Sequence, residues 1–110
     1  MNKRYIALTV FALYFIFNDS NKVDMHASDV DADCSVVMFT TDWCPVCKSA
    51  KSYFERKKYS YCEFDVDKDS LANRYYRELG TSAVPTILIG DSMVVGFYPD
   101  EIDELIAELE

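Results

Sequence analysis

The sequence predicts an α/β domain built as a mixed four-stranded sheet with three helices, in the order βαβαββα. Three observations predict it. From residue 35 onward, short runs of β-branched and aromatic residues alternate with segments of helical period. Helical segments follow the first and second strands, and a strand–helix–strand unit makes a parallel pair with a right-handed crossover. The third and fourth strands are separated only by Gly90-Asp91-Ser92, a turn that makes an antiparallel pair. At 110 residues the chain is one domain at most, and with half its residues hydrophobic it can build a core.

The elements read in order. Ser35 to Thr41 is a buried strand with no helical period. Pro45 to Lys57 is a helix with Val46, Ala50, Tyr53 and Phe54 on one face and Lys48, Lys51, Arg56 and Lys57 on the other. Tyr61 to Val66 alternates into a second strand, with Cys62, Phe64 and Val66 on one side. Cys62 is expected there as a small core residue. Asp69 and Ser70 are caps for a second helix with Leu71, Tyr75 and Leu79 inward, and Gly80 stops it. Val84 to Ile89 and Met93 to Val95 are the last two strands. Pro99 opens a final helix with Asp100 and Glu101 in its first turn and Ile102, Leu105, Ile106 and Leu109 inward.

Residues 34–110 are thus the folded domain, and two segments precede it. Lys3-Arg4 stand before an apolar run from Tyr5 to Phe17, which Asn18-Asp19-Ser20 ends. A positive start followed by an apolar stretch is the beginning of a secretory signal. The run is short for a membrane span, which needs about 20 residues. Residues 1–17 are therefore read as a signal sequence or a short membrane anchor, associating with the membrane through residues 5–17. Either places the domain outside the cytoplasmic membrane. The alternative is a cytoplasmic protein with a buried N-terminal element. Residues 18–33 are rich in Asp, Asn and Ser and are expected to be a polar linker, with His26 solvated in it.

Charge narrows the partners. The formal net charge is −8. All eleven Lys and Arg lie in residues 1–77, beside eleven Asp and Glu, so the eight acids of residues 78–110 carry the whole excess. Nucleic-acid binding needs a basic face and is disfavoured. A monomer is expected.

The chemistry converges on Trp43-Cys44-Pro45-Val46-Cys47, where a strand delivers two cysteines to the start of a helix. The thiolate is the reactive form of cysteine, and N–H groups at a helix start stabilise negative sulfur. Cys44 is expected exposed at this end, with Cys47 one turn in. Pro45 suits the first turn, where its missing N–H has no helical partner. Zinc would need two more ligands, and Cys34, Cys62 and His26 are scattered without a second pair at ligand spacing. No metal is expected, and Cys34 and Cys62 read as isolated.

Three stretches resemble the glutaredoxin family of the thioredoxin fold. Cys44-Pro45-Val46-Cys47 is similar to its dithiol motif, with Val46 where most dithiol glutaredoxins carry tyrosine. Ser82-Ala83-Val84-Pro85 is similar to its threonine-valine-proline loop, whose proline is cis. Val95-Gly96-Phe97-Tyr98-Pro99-Asp100 keeps one glycine of the pair that holds the γ-glutamyl end of glutathione. There it is closer to the glutaredoxin-like redoxins that feed ribonucleotide reductase. The resemblance implies a minimal glutaredoxin-like thioredoxin fold and a thiol-disulfide oxidoreductase. Cys44 would attack a protein disulfide, and Cys47 would then release the reduced substrate. Trp43, Pro45, Val46, Lys48, Val84, Pro85, Gly96 and Phe97 would contact the substrate, and Lys48 and Lys51 would favour the thiolate. No cofactor would be resident, and glutathione or thioredoxin reductase would supply electrons. The alternative is a glutathione-dependent iron–sulfur module using Cys44 from each of two chains.

Overall fold

β1 (Val36–Thr40) takes the middle of the sheet because it has no side chain that requires water, and all five of its residues are buried. The computed structural model describes residues 22–109. In chain order it contains α1 (Ala27–Val30), β1, α2 (Pro45–Lys57), β2 (Cys62–Asp65), α3 (Ser70–Glu78), β3 (Thr86–Ile89), β4 (Ser92–Val95) and α4 (Pro99–Leu109). The sheet order is β2-β1-β3-β4. β2 runs parallel to β1, while β3 is antiparallel to β1 and β4 to β3. The mixed four-stranded sheet is the one expected, with α1 as an additional single turn of helix.

The register gives the sheet two unlike ends. Thr40, Asp65, Thr86 and Val95 share one end, so the chain leaves β1 toward Cys44, enters β3 from Pro85 and leaves β4 toward Gly96 there. Val36, Cys62, Ile89 and Ser92 mark the other end.

Strand alternation divides the core into two layers. Val36, Met38, Ile87, Ile89 and Val94 face α2 and α4, against Ala50, Phe54, Ile102 and Ile106. Val37, Phe39 and Leu88 face α3, against Ala72 and Tyr76. The inner row of α3 is therefore shifted by one residue from the expected Leu71, Tyr75 and Leu79. Asp69 accepts the Leu71 and Ala72 N–H groups, which sets where the helix starts, and the Tyr76 ring meets Phe39 at 6.1 Å. Leu71 is left 54% exposed, while Tyr75 and Leu79 pack at the margin. Leu109 in α4 and Val46 in α2 are likewise exposed rather than inward.

Two expectations fail at the end of the sheet away from Cys44. Residues 22–33 are not a free linker. Lys22 bridges Ser92, the Val23 N–H donates to Asp91 O at 2.8 Å and the Ala27 N–H to Gly90 O at 2.8 Å. Ala27 is wholly buried, and Val23, Met25 and Val30 pack beside it. A nine-residue α3 leaves part of its sheet face open, and these four apolar residues cover it. Cys34 and Cys62 are not isolated either, because they form a disulfide with a Cα–Cα distance of 6.1 Å. Parallel pairing sets Cys62 beside Val37, and the turn from Asp31 brings Cys34 to it.

No helix among the described residues is long and apolar enough to cross a membrane. The run Tyr5–Phe17 lies outside the described residues.

Candidate active site

Thr41-Asp42-Trp43 carries the chain from β1 to Cys44, which is the N-cap of α2. The first N–H groups of a helix lack intrahelical partners. Here the Cys47 N–H donates to Cys44 Sγ at 3.0 Å, so sulfur takes the place of a capping oxygen. Pro45 occupies the first turn, as expected.

Cys44 is not exposed. It keeps 4% of its surface, because the loop before β3 closes over it. Cys44 Sγ–H donates to Val84 O at 3.7 Å, and the Val84-Pro85 bond is cis. Pro85 is buried, and its carbonyl accepts the Gly96 N–H at 2.8 Å. One sulfur, the cis-proline loop and the start of the β4–α4 connection are thus joined in a row.

Cys47 is wholly buried and, like Cys44, a free thiol. Burial pushes its pKa up to about 12, and the hydrogen bond with Cys44 adds to this. The Thr41 backbone and the Lys51 charge act the other way. Cys47 is therefore held as a neutral thiol next to the Cys44 sulfur. A pair of thiols one helical turn apart, one accepting the other's N–H, can close a disulfide without moving the helix.

The family model of glutaredoxin matches residues 36–94, more than half of the chain. The chain belongs to the glutaredoxin family. It is 35% identical over 72 residues to a glutaredoxin-like 8.6 kDa protein in the rubredoxin operon of Clostridium pasteurianum, covering 64% of this chain and 96% of that one. It is 40% identical over 62 residues to a glutaredoxin of Pseudomonas aeruginosa, covering 56% of this chain and 74% of that one. Among solved structures, the glutaredoxin-like NrdH-redoxin of Escherichia coli superposes with a TM-score of 0.59 at 27% identity, over 64% of this chain and 92% of that one. The thioredoxin fold and a thiol-disulfide chemistry follow from this membership.

In this glutaredoxin-family domain the rim of the site is apolar. Trp43 is 70% exposed, with its Nε1–H donating to Asp67 Oδ2 at 3.0 Å, and Val46 is also exposed. Lys48 stands exposed on the same turn of α2. Lys51 does not serve the thiolate as a free cation. It donates to Glu63 Oε2 at 2.9 Å, and Thr40 Oγ1–H donates to the same oxygen at 2.7 Å. The hydrogen bond to Glu63 holds the Lys51 pKa above its ordinary value. Asp42 is paired with Lys68, which holds its carboxyl below the ordinary range.

Phe97 turns away from the site. Its ring packs edge-on against Tyr53 at 5.5 Å, at the margin of the α2–α4 core. Tyr98 takes the outward position and is 58% exposed. Gly96 has φ +104, and a Cβ there would stand 3.0 Å from Tyr98 Cε2. The fold thus unites Cys44, Pro45, Cys47, Val84, Pro85 and Gly96, and sets Trp43, Val46 and Lys48 around them. Asp67 was not legible as a partner of Trp43, since 24 residues separate them. Tyr98 was legible only as a bulky neighbour of Gly96. Thr41 carried no signal, yet its buried Oγ1 has no hydrogen-bond partner among the described residues.

Proposed function

We propose that the domain exchanges electrons with protein disulfides through the Cys44–Cys47 pair. The Cys44 thiolate attacks a substrate disulfide, forms a mixed disulfide and expels one substrate thiolate. Cys47 sulfur then attacks Cys44 Sγ, and its proton leaves to solvent or to the departing thiolate. The second substrate sulfur departs reduced. The substrate has gained two electrons, and the Cys44–Cys47 dithiol has lost them and become a disulfide. The observation that carries this reading is the Cys47 N–H on Cys44 Sγ at 3.0 Å, a donor aimed at the sulfur that must hold charge both as nucleophile and as leaving group. Trp43 and Val46 provide an apolar rim against which a protein substrate can seat.

The experiment is disulfide reduction by single-cysteine variants. Cys44→Ser abolishes turnover, and Cys47→Ser accumulates mixed disulfides on Cys44, detected by mass. Turnover that survives Cys44→Ser rejects the assignment.

We further propose that a dithiol protein rather than glutathione supplies the electrons. Tyr98 lies over Gly96, where glutathione-dependent relatives present a glycine pair and polar side chains. The NrdH-redoxin is described as having a thioredoxin-like activity profile, which supports the same reading. The domain is placed outside the cytoplasmic membrane in this proposal. The Cys34–Cys62 disulfide supports it, because cytosolic thiols are kept reduced. Fractionation of cells carrying the full chain tests this, and recovery of intact protein in the soluble cytosol rejects it.

A further inference from the structure

We infer that Cys34–Cys62 is a maturation disulfide, closed once by an external disulfide donor and kept out of the catalytic cycle, with the Asp31 carboxylate beside it as an electrostatic guard. The contrast between the two cysteine pairs rests on the function proposed above, but the measurements below read the second pair directly.

The disulfide lies at the Val36/Cys62 end of the sheet and Cys44 lies beyond the Thr40 end. The five residues of β1 separate them by about 16 Å at about 3.3 Å per residue. Sulfurs held that far apart at opposite ends of the sheet cannot exchange within one molecule. The two thiols of Cys34 and Cys62 must instead pass two electrons and their two protons to an outside protein or small-molecule disulfide, which leaves as two thiols. A cleft of about 150 Å³, lined by Asp33, Ser35, Ser60 and Tyr61 beside the two half-cystines, lets such a donor approach.

The Asp31 carboxylate and both sulfurs lie within 4.8 Å of one another. Asp31 Oδ1 accepts the Asp33 N–H at 3.0 Å and Asp31 O accepts the Cys34 N–H at 3.0 Å, so the turn holds the acid at the disulfide. Reduction requires a thiolate to attack and another to leave, and a neighbouring carboxylate opposes both. The catalytic pair has the reverse arrangement, a backbone donor directed at sulfur.

Residues 22–34 run beneath the sheet from β4 to β2. Hydrogen bonds to Gly90 and Asp91 secure one end, and Cys62 secures the other. Between them Ala27 is wholly buried. The disulfide therefore locks a strap that completes the core on the α3 face.

Differential alkylation and intact mass, at graded dithiothreitol, test the inference on full-length protein purified without reductant. Cys44–Cys47 is expected to open first, with Cys34–Cys62 persisting. Asp31→Asn keeps the acceptor for the Asp33 N–H and removes the charge. It is expected to speed reduction of Cys34–Cys62 roughly tenfold, and more for the anionic thiol 3-mercaptopropionate than for the cationic cysteamine. Cys34→Ala with Cys62→Ala is expected to lower Tm by roughly 10–20 °C while Cys44-dependent turnover continues at 25 °C. Simultaneous opening of both pairs, an unchanged rate in Asp31→Asn, or free thiols at Cys34 and Cys62 in the unreduced protein overturns it. If the double alanine variant does not fold, the Asp31→Asn rates decide alone.

Discussion

Alkylation of the reduced domain should separate its two catalytic thiols by orders of magnitude, and the structure sets the scale. Burial raises Cys47 from the ordinary 9.0 to about 12. Only the thiolate reacts. At pH 7 an ordinary thiol at 9.0 is ionised to about one part in a hundred, and one at about 12 to about one part in 100,000. Ionisation alone thus slows Cys47 about a thousandfold. The assay is iodoacetamide labelling followed by peptide mass mapping, run from pH 6 to pH 10. Cys47 labelling should stay far below that of Cys44 at pH 6 and climb about tenfold per pH unit without levelling. A plateau above pH 9 would mean that access, not ionisation, limits the rate. Equal labelling of the two cysteines at pH 6 would refute the reasoning. The sign for stability follows. A thiol whose folded pKa is raised stabilises the reduced fold fully below pH 9, and loses that contribution as pH climbs toward about 12.

Other outcomes follow from the same geometry. Tyr98→Ser should raise turnover with glutathione relative to thioredoxin reductase, measured by coupled NADPH oxidation, because it uncovers Gly96; an unchanged donor ratio would count against Tyr98 as the obstacle. Phe54→Ala should cost about 3–5 kcal/mol in urea unfolding, since Phe54 is wholly buried between the sheet and the Tyr59 and Tyr61 rings. Asp103 accepts the Tyr59 hydroxyl at 2.6 Å and the Tyr53 hydroxyl at 2.7 Å, and these hold its pKa below the ordinary 3.8. Its contribution is present above pH 4 and is lost as pH falls through its lowered value, so Asp103→Asn should flatten the acid limb of stability against pH.

The strand–helix order, the turn at Gly90-Asp91-Ser92 and the dithiol at the start of α2 were legible in the sequence, because each is specified by residues close together in the chain. The cis bond at Pro85 was legible only through the resemblance of Ser82-Ala83-Val84-Pro85 to the glutaredoxin loop. Apolar alternation requires a half-buried strand, and a helix start requires a cap, wherever the segment finally packs. The features that were not legible depend on distant pairs. Cys34 and Cys62 are 28 residues apart, and only the parallel register of β1 and β2 brings them together. Residues 22–33 look like solvent-loving linker by composition, yet four apolar side chains find a face that a short α3 leaves uncovered. Cys44 is reached by a helix start that ought to be open, and it is the cis-proline loop, 40 residues away, that buries it. Phe97 and Tyr98 are chemically alike on paper. The Tyr53 ring takes Phe97 inward and so leaves Tyr98 above Gly96. Local pattern determined what the chain could form and where its sulfur chemistry sits. Tertiary packing decided which side chains reach that chemistry, because contact between distant residues exists only once the sheet order and register do.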